Sequence, residues 1–137
     1  MKNPIIALLG NPNVGKTSLF NRLTKMHQRV GNYPGITVEK REGSVKANGK
    51  TYTVIDLPGT YTLFPTSLDE EIVIDVLGNK SNKSHPDLVI VVAEPNTIKR
   101  SIILYQQTRE LGVPALFVIN MIDELATKGI AIDYEKL

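Results

Sequence analysis

Gly10-Asn11-Pro12-Asn13-Val14-Gly15-Lys16-Thr17 is the stretch whose reading decides the fold. It fits G-x-x-x-x-G-K-[ST], a loop whose glycines let successive backbone N–H groups curl round a polyphosphate. In that pattern Lys16 reaches the outer phosphates and the Thr17 hydroxyl ligates Mg²⁺. The flanks agree. Ile5-Ile6-Ala7-Leu8-Leu9 is a continuous apolar run and reads as a buried parallel strand. Leu19, Phe20, Leu23 and Met26 then recur at helical spacing, so the loop ends on a helix N-terminus, where free backbone donors and the dipole favour an anion. Gly10, Asn11, Asn13, Val14, Gly15, Lys16, Thr17 and Ser18 are therefore the expected phosphate-binding residues.

The rest of the chain sets limits. Its 137 residues suit one compact α/β domain. The formal charge of +2 argues neither for nor against nucleic acid, although Arg22, Lys25, Arg29, Lys40, Arg41, Lys46 and Lys50 crowd the first third. That cluster reads as a solvated face. There is no cysteine, which excludes disulfides and thiolate metal sites. The N-terminus lacks a charged-then-apolar leader, and no run reaches the length of a membrane span.

After the first helix, Met26 to Thr37 is polar, with Gly31, Pro34 and Gly35, and is expected to be a long loop. Val38 to Ala47 and Thr51 to Ile55 flank Asn48-Gly49, a strong hairpin signal, and read as antiparallel strands. Ser67 and Glu70 make an S-x-x-E cap for a helix with Ile72, Val73, Val76 and Leu77 inward, stopped by Gly78. Asn79 to Pro86 is a surface loop, and Leu88 to Ala93 another buried strand. Asn96 is expected to cap a helix whose inner side is Ile98, Ile102, Tyr105 and Leu111, ended by Gly112. Ala115 to Ile119 is the next strand, and Asp133 a cap for a further helix. Alternating strands and helices predict a mostly parallel sheet with one antiparallel edge strand. In such sheets ligands gather at the strands' carboxyl ends.

Two further motifs stand at such ends. Asp56-Leu57-Pro58-Gly59 is D-x-x-G, in which Asp56 can hold Mg²⁺ and the Gly59 N–H can meet a γ-phosphate. Asn120-Met121-Ile122-Asp123 is N-x-x-D, and its carboxylate suits the N1–H and 2-amino donors of guanine, which adenine lacks. Thr37, in Pro34-Gly35-Ile36-Thr37, can complete the Mg²⁺ shell when a γ-phosphate draws its loop inward. Together the three strand-end motifs point to a guanine nucleotide.

In order and content these motifs resemble the translation-factor-related GTPases. More narrowly, Gly31-Asn32-Tyr33-Pro34-Gly35-Ile36-Thr37-Val38-Glu39-Lys40, followed by Asp56-Leu57-Pro58-Gly59-Thr60-Tyr61-Thr62-Leu63, is similar to the N-terminal G domain of the FeoB ferrous iron transport family. Gly10-Asn11-Pro12-Asn13 and Leu111-Gly112-Val113-Pro114 fit as well. The resemblance covers essentially the whole chain, residues 1–137, as one FeoB-type G domain. It implies a P-loop GTPase three-layer sandwich that binds GTP or GDP with Mg²⁺ and K⁺ and hydrolyses GTP slowly. It also implies regulation of iron(II) uptake in bacteria or archaea, with the C-terminal helical and transmembrane domains of the same full-length protein as partners. The expected place is the cytoplasmic face of the inner membrane, this fragment itself being soluble, with no nucleic acid and with a homo-oligomer left open. Lys16, Asn13, Thr37 and Gly59 would serve catalysis, Asn13 by coordinating K⁺ where other enzymes use an arginine. Gly35, Ile36, Asp56, Asn120, Met121 and Asp123 would complete the nucleotide site.

The sequence also departs from the pattern. Ala93-Glu94-Pro95-Asn96 replaces V-D-A-T-N, Met121 replaces a lysine, and Thr60 stands where many GTPases place a glutamine. Arg29 and Arg41 are weak candidates for an arginine finger. The G5 segment is expected beyond Leu137, so the domain would lack its last strand and helix. An Era-like ribosome-assembly or tRNA-modification GTPase is the rival reading, though those proteins carry P-G-T-T where Ile36-Thr37 stands here. Thr60 also admits a nucleotide switch that does not hydrolyse.

Overall fold

A computed structural model describes residues 3–12, 14–25, 27–63 and 67–120. The apolar run that precedes the glycine loop is β1 (Ile5–Gly10), and the loop delivers the chain into α1 (Lys16–Thr24). Next come β2 (Gln28–Asn32), β3 (Glu39–Ala47) and β4 (Lys50–Asp56). α2 (Leu68–Gly78), β5 (Leu88–Ala93), a 3₁₀ turn at Pro95–Thr97, α3 (Ile98–Glu110) and β6 (Ala115–Ile119) complete the order. The six strands form one sheet in the order β2-β3-β4-β1-β5-β6.

β1 pairs in parallel with β4 and β5, and β5 with β6. The antiparallel strand is β3, which pairs with β4 on one side and β2 on the other. Expected at the edge, it is second from the edge, because part of the expected loop from Met26 to Thr37 folds as β2. Gln28-Arg29-Val30-Gly31-Asn32 has no alternation and a single apolar residue, Val30, which is exposed, and pairing with the β3 backbone makes it a strand. The Asn48-Gly49 turn holds both residues at positive φ (53° and 78°), the conformation a two-residue hairpin needs.

Side-chain alternation along the strands builds two cores. Ala7, Leu9, Ile55, Val89 and Val91 face α2 and α3, where Val73, Val76, Leu77 and Leu104 meet them. Leu8 and Val54 face α1 and its Phe20, with Leu23 and Ile90 alongside. Helices on both faces of the sheet make the expected three layers. Ser67 caps α2 as predicted, its hydroxyl oxygen accepting the Glu70 N–H at 3.2 Å.

α3 differs from its prediction in two respects. Asn96 falls in the 3₁₀ turn with its side chain on Glu94, and Thr97 takes the N-cap position without a side-chain cap bond. The buried stripe is Ser101, Leu104 and Thr108, with Tyr105 partly buried beside it and Leu111 exposed. Thr108 is accommodated there because its hydroxyl donates to Leu104 O at 2.8 Å. No helix among the described residues is long and apolar enough to cross a membrane. Residues 121–137, including the helix expected after Asp133, lie outside the described residues.

Candidate nucleotide site

The carboxyl ends of β1 and β4 sit side by side in the sheet, which brings the glycine loop and D-x-x-G together. Gly10 has to be glycine, because a Cβ there would come within 2.7 Å of Val92 O. Gly15, at φ 79°, makes the left-handed turn into α1. Asn11, Pro12, Gly15, Lys16, Thr17, Ser18 and Gly59 line a hollow of about 340 Å³. Gly59 also packs closely, since a Cβ on it would lie 3.1 Å from Pro12 Cα.

A second cleft, of about 570 Å³, shares Lys16, Thr17 and Gly59 and adds Thr37, Glu39, Arg41 and Asp56. Two hydroxyls and a carboxylate among the lining residues are the hard oxygen donors that suit Mg²⁺, so the chemistry of the expected metal ligands Thr17, Thr37 and Asp56 fits the ion. Lys16 Nζ donates to Asp56 Oδ1 and, at 2.6 Å, to Leu57 O. Both charged side chains are buried, so each is compensated chiefly by the other. Bound phosphate would compete for the lysine and Mg²⁺ for the carboxylate.

The structure places the remaining predicted residues as follows. Val14 is buried, and its carbonyl accepts Asn120 Nδ2 at 3.1 Å, tying N-x-x-D to the phosphate loop. The Asn120 N–H donates to Ala93 O at 2.7 Å. Ser18 is exposed at the hollow's rim, and Gly35 turns at φ 76° beside half-buried Ile36 and exposed Thr37. Asn13, Met121 and Asp123 lie outside the described residues. Tyr33 packs into the core facing α2, under the Lys40 ammonium at 5.9 Å from its ring. Burial, and secondarily the charges of Asp56 and Glu42, push its phenol up to about 12. Arg29 is exposed on β2, and Arg41 in the cleft donates to Glu39 at 3.1 Å. Thr60 is buried, its hydroxyl donating to Thr62 O at 2.7 Å, so it offers the cleft nothing.

Sequence reasoning missed Ser101 and Gln107. The Ser101 hydroxyl accepts Asn11 Nδ2 at 3.3 Å beneath the phosphate loop, and Gln107 Oε1 accepts the Leu63 N–H at 3.0 Å. The available signal was a small hydroxyl three residues before Leu104, on a helix predicted to be apolar inside.

Comparison with known proteins places this geometry. A family profile described as Ferrous iron transport protein B matches residues 4–137. The Fe(2+) transporter FeoB of Staphylococcus aureus (strain N315) is 47% identical over 130 residues, which are 95% of this chain and 19% of that protein. The chain thus spans under a fifth of the curated relatives it matches. The crystal structure of the G domain of the T. maritima FeoB iron transporter is 41% identical with a TM-score of 0.87, covering 98% of this chain and 80% of that one. The cytosolic domain of the same transporter in a GMPPNP form is 43% identical with a TM-score of 0.86, over 97% of this chain and 51% of that one.

Proposed function

The chain belongs to the ferrous iron transport protein B family, and we propose that it is a guanine-nucleotide switch that binds GTP with Mg²⁺ and hydrolyses it slowly. One observation carries the reading: Lys16, Thr17, Thr37, Asp56 and Gly59, drawn from three separate segments, line one cleft at the strands' carboxyl ends. Phosphoryl transfer asks for charge neutralisation and an oriented water more than for covalent chemistry. Lys16 and the phosphate-loop amides meet the polyphosphate. Thr17, Thr37 and Asp56 hold Mg²⁺, and Asn13 holds K⁺; when bound, the two cations supply positive charge against the transferring phosphoryl group. Asn120 braces the phosphate loop through Val14 O, and Asp123, four residues after β6 in the sequence, selects guanine. Because the Thr60 hydroxyl is committed to Thr62 O, the attacking water is oriented by backbone groups around Thr37 and Gly59.

Relatives in the family are Fe²⁺ transporters, so the same reading makes this chain the regulatory part of one, at the cytoplasmic face and continuous with helical and transmembrane domains. Family membership displaces the ribosome-assembly rival. Phosphate release from GTP with Mg²⁺, measured in KCl and in NaCl at matched ionic strength, tests the mechanism. Faster release in KCl is expected. Equal rates would remove the K⁺ role of Asn13, and no release above background in either salt would remove hydrolysis.

A further inference from the structure

α3 packs behind the segments that border the cleft, with Ser101 on Asn11 and Gln107 on Leu63. Arg100 and Gln107 are seven residues apart and so share one side of the helix, facing the segment that follows D-x-x-G. The Arg100 guanidinium stands 5.2 Å from the centre of the Tyr61 ring, and Gln107 Oε1 accepts the Leu63 N–H at 3.0 Å. A backbone N–H only donates, so the Gln107 atom that meets it is its oxygen.

The segment from Leu57 to Leu63 is pinned along its length. The Leu57 N–H donates to Leu8 O at 3.1 Å, and the Thr60 N–H to Gly10 O at 2.9 Å. Thr60 Oγ1 closes a local bond to Thr62 O at 2.7 Å, and Gln107 then takes Leu63. Gly59 sits between the pins, close against Pro12 of the phosphate loop.

We propose that Gln107 is a positioning residue for GTP hydrolysis, holding the backbone after D-x-x-G in place through the Leu63 N–H. The proposal rests on the GTPase reading above. Its reason is the missing glutamine: the side chain after D-x-x-G is a buried threonine bonded to its own turn. Orientation of the water therefore falls to backbone, and it is only as good as the pins that fix that backbone. Gln107 supplies a pin that substitution can remove without altering the loop or the phosphate-binding residues.

Gln107→Met keeps length and removes the acceptor, whereas Gln107→Glu keeps an acceptor oxygen. Steady-state GTP hydrolysis with Mg²⁺ and KCl, and amide exchange of Leu63 in the GDP-bound chain, are compared with wild type. The expected result for Gln107→Met is kcat lower by about fivefold to tenfold with KM within about twofold, because ground-state phosphate contacts are untouched. Leu63 exchange should accelerate, and Gln107→Glu should restore both readouts. Wild-type kcat in Gln107→Met, a change confined to KM, or an equal loss in both variants would overturn the proposal. The exchange measurement needs no hydrolysis and so separates two failures. A wild type that does not hydrolyse GTP defeats the GTPase reading and the positioning role with it, and unchanged Leu63 exchange in Gln107→Met defeats the contact itself.

Discussion

The phosphate loop and the segment from Tyr33 to Val38 border the same cleft but are built in opposite ways. Among the loop's described residues, Gly10 lies against Val92 O, Asn11 and Val14 are buried, and Ser101 and Asn120 hold Asn11 and Val14 by side-chain bonds. In the other segment, Pro34, Gly35 and Thr37 are exposed. Two backbone bonds shape it, Tyr33 N–H to Val38 O at 3.0 Å and Ile36 N–H to Tyr33 O at 3.2 Å. Tyr33 is its deep anchor. A cross-braced loop has many contacts to lose when it moves, while a segment exposed at Pro34, Gly35 and Thr37, and held by Tyr33 with half-buried Ile36 and Val38, has fewer. On the proposed reading the difference divides the labour: the loop would hold phosphates common to GDP and GTP, and the Thr37 segment would respond to the γ-phosphate.

Removing the central charge of the fixed half should have the largest effect. Lys16→Ala would take away the proposed phosphate contact and leave buried Asp56 without its lysine partner. The chain should lose about 3–5 kcal/mol of stability, and nucleotide affinity should fall at least about a hundredfold. Urea unfolding and fluorescent-GDP titration check both, and retained affinity would mean that the loop does not depend on its lysine.

Gly10→Ala probes the rigidity of the same half with a single methyl. The new Cβ would meet backbone at Val92 O, which cannot swing aside, so a loss of about 1–3 kcal/mol is expected. Gly35→Ala in the other segment has open space around it, and its cost should be confined to the strain of its positive φ, about 1 kcal/mol. Equal losses at the two glycines in thermal unfolding would erase the contrast.

Tyr33→Phe is the mildest change. The phenolic oxygen is buried with no hydrogen-bond partner among the described residues, so deleting it should alter stability by less than about 1 kcal/mol at neutral pH. The folded phenol is held up to about 12 against an ordinary value of 10.0. The folded state therefore keeps a proton that the unfolded state releases first. The stability belonging to the neutral phenol is complete below pH 10 and declines as pH rises toward 12. Unfolding measured between those limits should show that decline in wild type beyond any decline in Tyr33→Phe.

The legible parts of the molecule were those where local chemistry and global fold agree. Gly10 to Thr17, the Asn48-Gly49 turn and the Ser67 cap each state their backbone geometry in a few adjacent residues. β2 was not legible, because its pairing is imposed by Glu39–Gly43 of the following strand and not by any pattern in Gln28–Asn32 itself. The inner side of α3 was misread for a related reason. Ser101 and Thr108 look polar in sequence yet bury well once the Asn11 amide and the Leu104 carbonyl take up their hydroxyls. In the candidate site, motif spacing named Lys16, Thr17, Thr37, Asp56 and Gly59, which do share a cleft. The supports behind them, Ser101 and Gln107, carry no motif because their partners are set by packing.

Thr37→Ala puts the division of labour to the most direct trial, through single-turnover phosphate release from Mg²⁺-GTP in KCl together with GDP affinity on the same samples. The account predicts release slowed at least about tenfold, with GDP affinity within about twofold of wild type. Unchanged release, or a loss of GDP affinity as large as the loss of rate, would contradict it.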